Sequence, residues 1–586
     1  MLRKLLLVGA VQGWALWGLW KTRELHVWPA SDAVSERALL YLCLAMPLAL
    51  YLSEGVASLT RQRRMFLLGV IAVLFPMFGA YSGWSDDVPV NLSNFGGIPF
   101  ARPSDLLAAA VLGFVLIPLL MHFDQKTRSW PYHNLFETAW RNTIMCISAA
   151  ALTGVFWMVL FAGSELLHLI GLNFMQRLIN KSIFSIPVTG IAFGAAFALA
   201  LARAEMVVTL RCFQLSMLAW LLPLLMMFIL VWVAALPFTG VALLFKTHSA
   251  AFILLWCTTL CISFANAAYQ DGQTSPPYGN YLNKLLAWAW LGLPVVVGVA
   301  WWAMCLRILQ HGWSEDRVWG VFVMLMTTLY VAGYAASTLR LTGWLASIGK
   351  TNIWSAIVMC LGLLALLSPI ADARRIAVNS QMQRLVNQAV ASDKFDFDYL
   401  RWQAGKYGQD ALHTLEAGIT HSDRDTLASK AKQVLAQKQR YQTSEGIKAL
   451  TINEMRQHIQ VLPENALLND TLLQAMQTES KDWQLQRCFN TKSQCAVWLV
   501  DLNADRISDA VVLIKNEWGD GGSMRVLRNN QGKYYFAGTL SWPKAMTYEQ
   551  FIHQLERNDF KVVLSDWNEI ELSGQRLRVT VDYRQH

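Results

Sequence analysis

The stretch Asp501-Leu502-Asn503-Ala504-Asp505-Arg506-Ile507-Ser508-Asp509 sets oxygen-bearing side chains at loop positions 1, 3, 5 and 9. That spacing turns Asp501, Asn503, Asp505 and Asp509, with the backbone carbonyl of Ile507, toward one hard cation, as calcium loops require. Two positions depart from the pattern: Arg506 stands where glycine makes the sharp turn, and Val512 where a bidentate glutamate would close the shell. A left-handed residue other than glycine costs about 1 kcal/mol. The competing reading is an Asp/Asn-rich turn held by side-chain-to-backbone hydrogen bonds. Just upstream, Cys488 and Cys495 enclose a polar turn. In an oxidising compartment they pair, and closing so short a loop stabilises by about 2–3 kcal/mol in the chain-entropy model. In a reducing compartment they are two free thiols.

Ionisable groups beside long apolar runs form the second set: Glu54, Glu165, His168, Arg203 and Glu205. Such residues are expensive at membrane depth and serve function by default. Glu165 and His168 have the Glu-x-x-His spacing of di-metal bundles, but that site needs a second copy and two more glutamates, which the sequence lacks. All five sit near the ends of apolar stretches, where water or headgroups can solvate them. Glu54 stands out, because apolar residues follow it before Arg61. No Gly-x-Ser-x-Gly elbow is present, and the nine cysteines lack the paired spacing of a zinc site.

The elements that must carry these groups follow from composition. Of 586 residues, 54% are hydrophobic and 15% charged, well below the charge of a typical soluble domain. The charge is uneven: residues 1–370 hold 36 charged side chains, and residues 371–586 hold 53. Eleven stretches approach the roughly 20 apolar residues that span a bilayer. They centre on 5–20, 38–56, 65–83, 105–123, 143–163, 186–203, 213–236, 250–268, 284–306, 318–337 and 353–370, the first and sixth being short. Arg3 and Lys4 precede the first, and no small-residue cleavage site follows it, so it reads as a retained span. With the N-terminus in the cytoplasm, 13 Lys/Arg lie inside and 9 in short outside loops, led by the Arg61–Arg64 cluster inside. Residues 171–185 are amphipathic and are expected at the interface, with Phe174, Leu178 and Ile179 toward lipid. Net charge is +9, and the excess lies between apolar spans, which points to lipid rather than nucleic acid.

Three further stretches carry a resemblance. They are Gly312-Trp313-Ser314-Glu315-Asp316-Arg317-Val318-Trp319, Asp372-Ala373-Arg374-Arg375-Ile376-Ala377-Val378-Asn379-Ser380-Gln381, and Phe397-Asp398-Tyr399-Leu400-Arg401-Trp402 running on to Gly405-Lys406-Tyr407-Gly408. Together they resemble a family of bacterial multi-span inner-membrane proteins, domain of unknown function number 4153, over residues 1 to about 415. The resemblance implies a bacterial envelope setting and brings no catalytic residues. Residues 501–509 alone resemble the calcium loops of dockerin and integrin-type repeats. Ser314 is expected to cap a helix, with Glu315 and Asp316 in its first turn. Arg374 and Arg375 are expected in water or headgroups, where a helix leaves the membrane.

The fold class that follows is a polytopic α-helical membrane protein of about eleven transmembrane helices, with a C-terminal extramembrane α+β region. Its expected parts are a multi-span domain (1–370), a helical periplasmic segment (371–480) and a small β-rich periplasmic domain (484–586) closed by the Cys488–Cys495 bridge. In the last part, strands are expected at Ala496–Val500, Ala510–Lys515, Met524–Arg528, Tyr534–Gly538, Val562–Leu564 and Leu577–Val581, with a helix at Thr547–Arg557. Three functional readings stay open. One is a non-catalytic envelope anchor whose tail binds a periplasmic protein or glycan. The second is a transporter or channel for a small solute, and the third an enzyme on lipid-linked substrates with Glu165, His168 and His311 gathered at the outer face. The bilayer is the partner common to all three, and calcium is the one cofactor the pattern suggests.

Overall fold

Twenty apolar residues can satisfy their own backbone N–H and C=O groups only by coiling into a helix. A computed structural model of the chain describes residues 2–56, 59–86, 102–240, 250–271, 277–339, 347–437 and, with short breaks, 452–577. The chain divides into two units, residues 1–440 and 441–586.

In the first unit, the helices are α1 (Leu2–Glu24), α2 (Ala33–Ser53), α3 (Arg61–Ser85), α4 (Pro103–His122), α5 (Tyr132–Leu169), α6 (Phe174–Ile179), α7 (Ser182–Ala202), α8 (Ala204–Thr239), α9 (Ala250–Tyr269), α10 (Asn280–Ala289), α11 (Leu293–His311), α12 (Glu315–Leu339) and α13 (Ile348–Leu366). A 3₁₀ turn, Trp290–Gly292, joins α10 to α11, so the two run on as one apolar length. Among the described residues, ten helices are long and apolar enough to cross a membrane, by length and composition. These are the helices of a multi-pass membrane protein. Large apolar side chains lie exposed along them, Phe213, Met217, Trp220, Leu224, Phe228 and Val231 on α8 for example. A soluble monomer does not leave such a surface uncovered. The first helix is not among the ten, although it runs 23 residues. It packs against α7 at close range: a Cβ on Gly9 would lie 2.2 Å from the Gly190 carbonyl oxygen, and one on Gly13 2.6 Å from the Pro187 Cα. Small residues at such a crossing let two backbones touch.

Two large apolar clusters fill most of the bundle among the described residues. One joins α1 to α5, α7 and α13; the other joins α8, α9, α11 and α12 around Trp290 and Tyr334. A polar knot ties them together. Asn352 Nδ2 donates to Tyr132 OH and Asn266 Oδ1 at 2.6 Å each, and the single proton of the Tyr334 hydroxyl has two acceptors in reach, Asn352 Oδ1 at 2.6 Å and Asn266 Oδ1 at 2.9 Å. Side-chain hydrogen bonds of this kind hold helices together where no water competes. The expected interfacial segment is a six-residue helix, α6, with Phe174 exposed; Ile179 is buried in the protein instead of facing lipid. The chain continues through α14 (Ala373–Val386), α15 (Phe397–Trp402), α16 (Gly405–Ala417) and α17 (Arg424–Ala436), which share one core around Leu385, Leu400, Leu412 and Leu427.

In the second unit, a five-stranded sheet has the order β1-β2-β3-β4-β5. Its strands are β1 (Gln460–Leu462), β2 (Cys495–Val500), β3 (Asp509–Lys515), β4 (Gly522–Asn530) and β5 (Lys533–Leu540). β1 is parallel to β2 and the other neighbours are antiparallel. β1 lies within the stretch expected to be helical. Both faces of the sheet are covered. Val497, Val512, Ile514 and Leu527 meet α18 (Ile452–His458) and α19 (Asp470–Thr478) on one side. On the other, Trp498, Val511, Leu513 and Met524 meet α20 (Tyr548–Glu556). Double burial explains why β2 and β3 read as unbroken apolar runs rather than alternating ones. Thr547 and Gln550 form a capping box at the start of α20. A last hairpin pairs β6 (Ile570–Leu572) with β7 (Gln575–Leu577). The expected strand Val562–Leu564 lies outside the described residues.

Candidate functional site

Helices that alternate in direction place every second helix end on the same face. α2, α4 and α12 start, and α3 finishes, at one such face, which brings Arg37, Asp86, Arg102, Asp105 and Glu315 together. The end of α3 is centred on Asp86. Arg37 Nη2 donates to Asp86 Oδ2 at 2.5 Å, and Arg102 Nε donates to Oδ1 at 3.2 Å. Arg37 Nη1 also donates to the Ser82 carbonyl at 2.9 Å, which accepts the Asp86 backbone N–H as well. Arg102 Nη1 reaches both carboxylate oxygens of Glu315 at 3.4 Å, and its Nη2 donates to the Gln403 carbonyl.

A second set enters from α14. Asp372 caps that helix by accepting from the backbone N–H of Arg374 at 2.8 Å and of Arg375 at 3.4 Å. The same carboxylate accepts from Tyr81 OH at 2.7 Å and from Arg374 Nη2 at 3.3 Å. Arg374 Nη2 also donates to Ser85 Oγ at 2.6 Å, and Tyr81 and Tyr407 share a hydroxyl contact of 2.9 Å. The Arg374 and Asp372 side chains are only 5% and 4% exposed. Arg374 is thus buried in protein, not in water or headgroups as expected, because three carboxylates surround it; Arg375 is exposed.

Electrostatics follow from this packing. Burial pushes the Asp86 carboxyl up, but the guanidinium groups of Arg102, Arg37 and Arg374 outweigh it and hold the group below the usual carboxylate range. For Arg374, burial disfavours the charge, yet Asp372, Asp105 and Asp86 hold its affinity for the proton above the ordinary value. Between these groups lies a cavity of about 20 Å³ lined by Tyr81, Asp105, Glu315, Asp372 and Arg374. That volume admits one water and no substrate. Among the described residues, Arg374 Nη1 has no hydrogen-bond partner and lies 3.9 Å from Asp86 Oδ1, so a water there would satisfy it. Each carboxylate is engaged by a guanidinium or a hydroxyl. This is the geometry of a clamp between helix ends, not of a nucleophile beside its base.

The three stretches that carry the family resemblance converge here. Gly405 sits at φ +59° with its Cα against the end of α3: a Cβ would lie 2.2 Å from the Ser85 carbonyl oxygen. Beside it, Lys406 Nζ stands 4.4 Å over the Trp84 ring. The α11–α12 corner is fastened to α14. Trp313 N–H donates to Ser380 Oγ at 3.0 Å, and Gln381 Nε2 donates to the Trp313 carbonyl at 3.0 Å. Arg384 donates to the carbonyls of Leu309 and Gln310 at 3.3 and 2.7 Å, which satisfies the end of α11. Ser314 accepts from Arg317 N–H at 3.4 Å, as expected of a helix cap.

The residues singled out from sequence lie elsewhere. Glu54 caps the end of α2 and pairs with Arg64 at 3.1 Å, at the opposite end of α2 from Arg37. Glu165, His168, Arg203 and Glu205 are exposed at helix ends and make no side-chain hydrogen bond or ion pair among the described residues. Cys488 and Cys495 are joined as a disulfide, with both residues buried in the core of the second unit. In the 501–509 loop, Asp501 accepts from the backbone N–H of Asn503 at 3.2 Å and of Arg506 at 2.8 Å. Asp505 accepts from Ile507 N–H at 2.8 Å, and Asp509 from Asn529 N–H at 2.9 Å. Arg506 adopts the left-handed conformation, φ +63°, that the loop position demands. Among the described residues, no group of three or more His, Cys, Asp or Glu is arranged to hold a metal ion.

Sequence reasoning missed the clamp. The signal was available in span parity: the acids and arginines at alternate span ends fall on one face with nearly balanced charge. A family model described as a domain of unknown function (DUF4153) matches residues 17–417. No curated protein and no solved structure matches the chain.

Proposed function

The chain belongs to the DUF4153 family, a domain of unknown function, and from that premise we propose that it is an anchor of the bacterial inner membrane that presents its C-terminal unit to a periplasmic protein or glycan. In this reading α1 is an eleventh span, the N-terminus is cytoplasmic and the tail is periplasmic. The observation that carries it is the clamp. Charge that could serve chemistry is spent on fastening α14, α15 and α16 to the ends of α2, α3, α4 and α12. A rigid mount of that kind suits presentation of a tail. Span parity supports the orientation, since Arg61, Arg63, Arg64, Arg141 and Arg211 gather at the end opposite the clamp, the arginine-rich side expected in the cytoplasm. The Cys488–Cys495 bridge suits an oxidising compartment.

Fusion of alkaline phosphatase, and separately of a fluorescent protein that matures only in the cytoplasm, after His586 tests the orientation. Phosphatase activity without fluorescence is expected; fluorescence without phosphatase activity overturns it. Cross-linking intact cells with a reagent that does not cross the inner membrane tests the presenting role. A discrete cross-linked partner of the full chain is expected, and its absence across reagents counts against an anchor. A second reading, a carrier or enzyme for a lipid-linked substrate, draws on one observation: an arginine-lined cavity of about 430 Å³ at the end of the bundle opposite the clamp.

A further inference from the structure

The end of α2, the last residue of α4, the end of α7 and the first turns of α5 and α8 enclose that cavity. Its volume lies within the range of small-molecule sites. Two guanidinium groups line it, Arg141 from α5 and Arg211 from α8, with one carboxylate, Glu137. The Arg141 side chain is half-buried and held in place by neutral acceptors. Its Nη2 donates to the Leu52 carbonyl at 2.9 Å and to Asn142 Oδ1 at 3.1 Å. It makes no ion pair among the described residues. A guanidinium fixed among apolar helices without an anion is costly. Arg374 at the opposite end has three carboxylates around it, so the bundle does supply counter-charges where burial alone demands them. At Arg141 it supplies a cavity instead.

Glu137 does not fill the role. It stands 3.5 Å from Arg211 and 3.5 Å from His133, and its side chain is 47% exposed. The charge of the lining therefore remains positive. His122, which also lines the cavity, is bonded to Thr138 at 2.8 Å. Asn134 and Thr138 add neutral polar groups, and the rest of the wall is mostly apolar: Val56, Met145, Ala200, Leu201, Val207 and Val208. A ligand matched to this lining carries an anion with several acceptor oxygens at one end and hydrocarbon at the other. Guanidinium forks bind phosphate oxygens with particular geometric fit, and basic pockets between membrane helices take anionic headgroups.

We propose that the cavity between α2, α4, α5, α7 and α8 binds a phosphate ester, with Arg141 and Arg211 as its anion-binding groups. This rests on the helices crossing a membrane, and it holds for either orientation. The phosphate belongs to an anionic lipid headgroup or to a free phosphate ester; the chemistry is shared and the sources separate by experiment.

The full chain is reconstituted in nanodiscs of equal phosphatidylglycerol and phosphatidylcholine, released, and weighed by native mass spectrometry. Retention of phosphatidylglycerol over phosphatidylcholine by about tenfold is expected, falling at least fivefold in Arg141→Gln and in Arg211→Gln. Inorganic phosphate at millimolar concentration is added as a competitor. No loss of bound lipid assigns the site to the headgroup. Displacement of the lipid, or phosphate-dependent protection from thermal unfolding that Arg211→Gln abolishes, assigns it to a free phosphate ester. Arg211→Gln is the second variant because Arg141 also bonds the α2 backbone; both are checked for wild-type elution and melting. Equal retention of the two lipids with no protection by phosphate overturns the proposal, as does retention unchanged in a folded Arg211→Gln protein. The terminus fusions fail independently of this test, because they read orientation and not occupancy.

Discussion

At the scale of single residues, the clamp turns on Asp86. Two arginines donate to it, and a third stands within 3.9 Å. Removing one member of a buried ion pair strands its partners, which costs about 3–5 kcal/mol. Asp86→Asn is therefore expected to lower the melting temperature of the detergent-solubilised chain sharply. Asp86→Asn combined with Arg37→Gln should recover part of the loss, and a single variant that melts with the wild type would remove Asp86 from the clamp. The pH dependence follows from the direction of the shift. The folded-state affinity of Asp86 for a proton is depressed, so its contribution is complete above the unfolded-state pKa of about 4 and fades as pH falls through the lower folded value. The wild-type chain should lose stability below about pH 4, and Asp86→Asn should lose less over the same interval, measured as melting temperature against pH.

At the scale of elements, glycine decides how close two helices can come. Gly405 starts α16 in the left-handed region and lies against the last carbonyl of α3. Gly405→Ala must accept left-handed strain of about 1–2 kcal/mol and also push Ser85 aside. Gly154, in the middle of α5, has nothing within 4 Å of where a Cβ would stand. Gly154→Ala should hold or raise stability by up to about 1 kcal/mol. Melting temperatures of the two variants against the wild type test this contrast, and equal effects would show that the α3–α16 approach is not tight. The sheet of the second unit follows the same logic in another form. β2 and β3 are apolar throughout because helices cover both faces, which sequence periodicity could not distinguish from a buried helix.

At the scale of the whole molecule, cysteine chemistry reports the compartment. The chain has nine cysteines, seven of them free and two joined as Cys488–Cys495. Alkylation of denatured, unreduced protein taken from cells should add seven adducts by intact mass, rising to nine after reduction. Nine adducts in both samples would mean that the tail is reduced in the cell, against a periplasmic position. The terminus fusions and the thiol count address the same topology by unrelated chemistry. An odd span count requires both to agree.

The sequence by itself determined the membrane class, the position of each long helix, the family and the principal strands of the second unit. These follow from local physics: apolar length fixes a span, period fixes an element, and turn residues bound it. It also identified the Cys488–Cys495 pair and the turn at 501–509, which are local in the chain. Only tertiary structure decided that Asp86, Arg102, Glu315, Asp372, Arg374 and Tyr407 meet, because their contacts cross up to 326 positions of sequence. Charge at a span end looks the same in one dimension whether it faces water or another helix end. Arg374 looked like the first kind and is the second, and Arg141 became a candidate for binding only once space showed it without a carboxylate partner among the described residues.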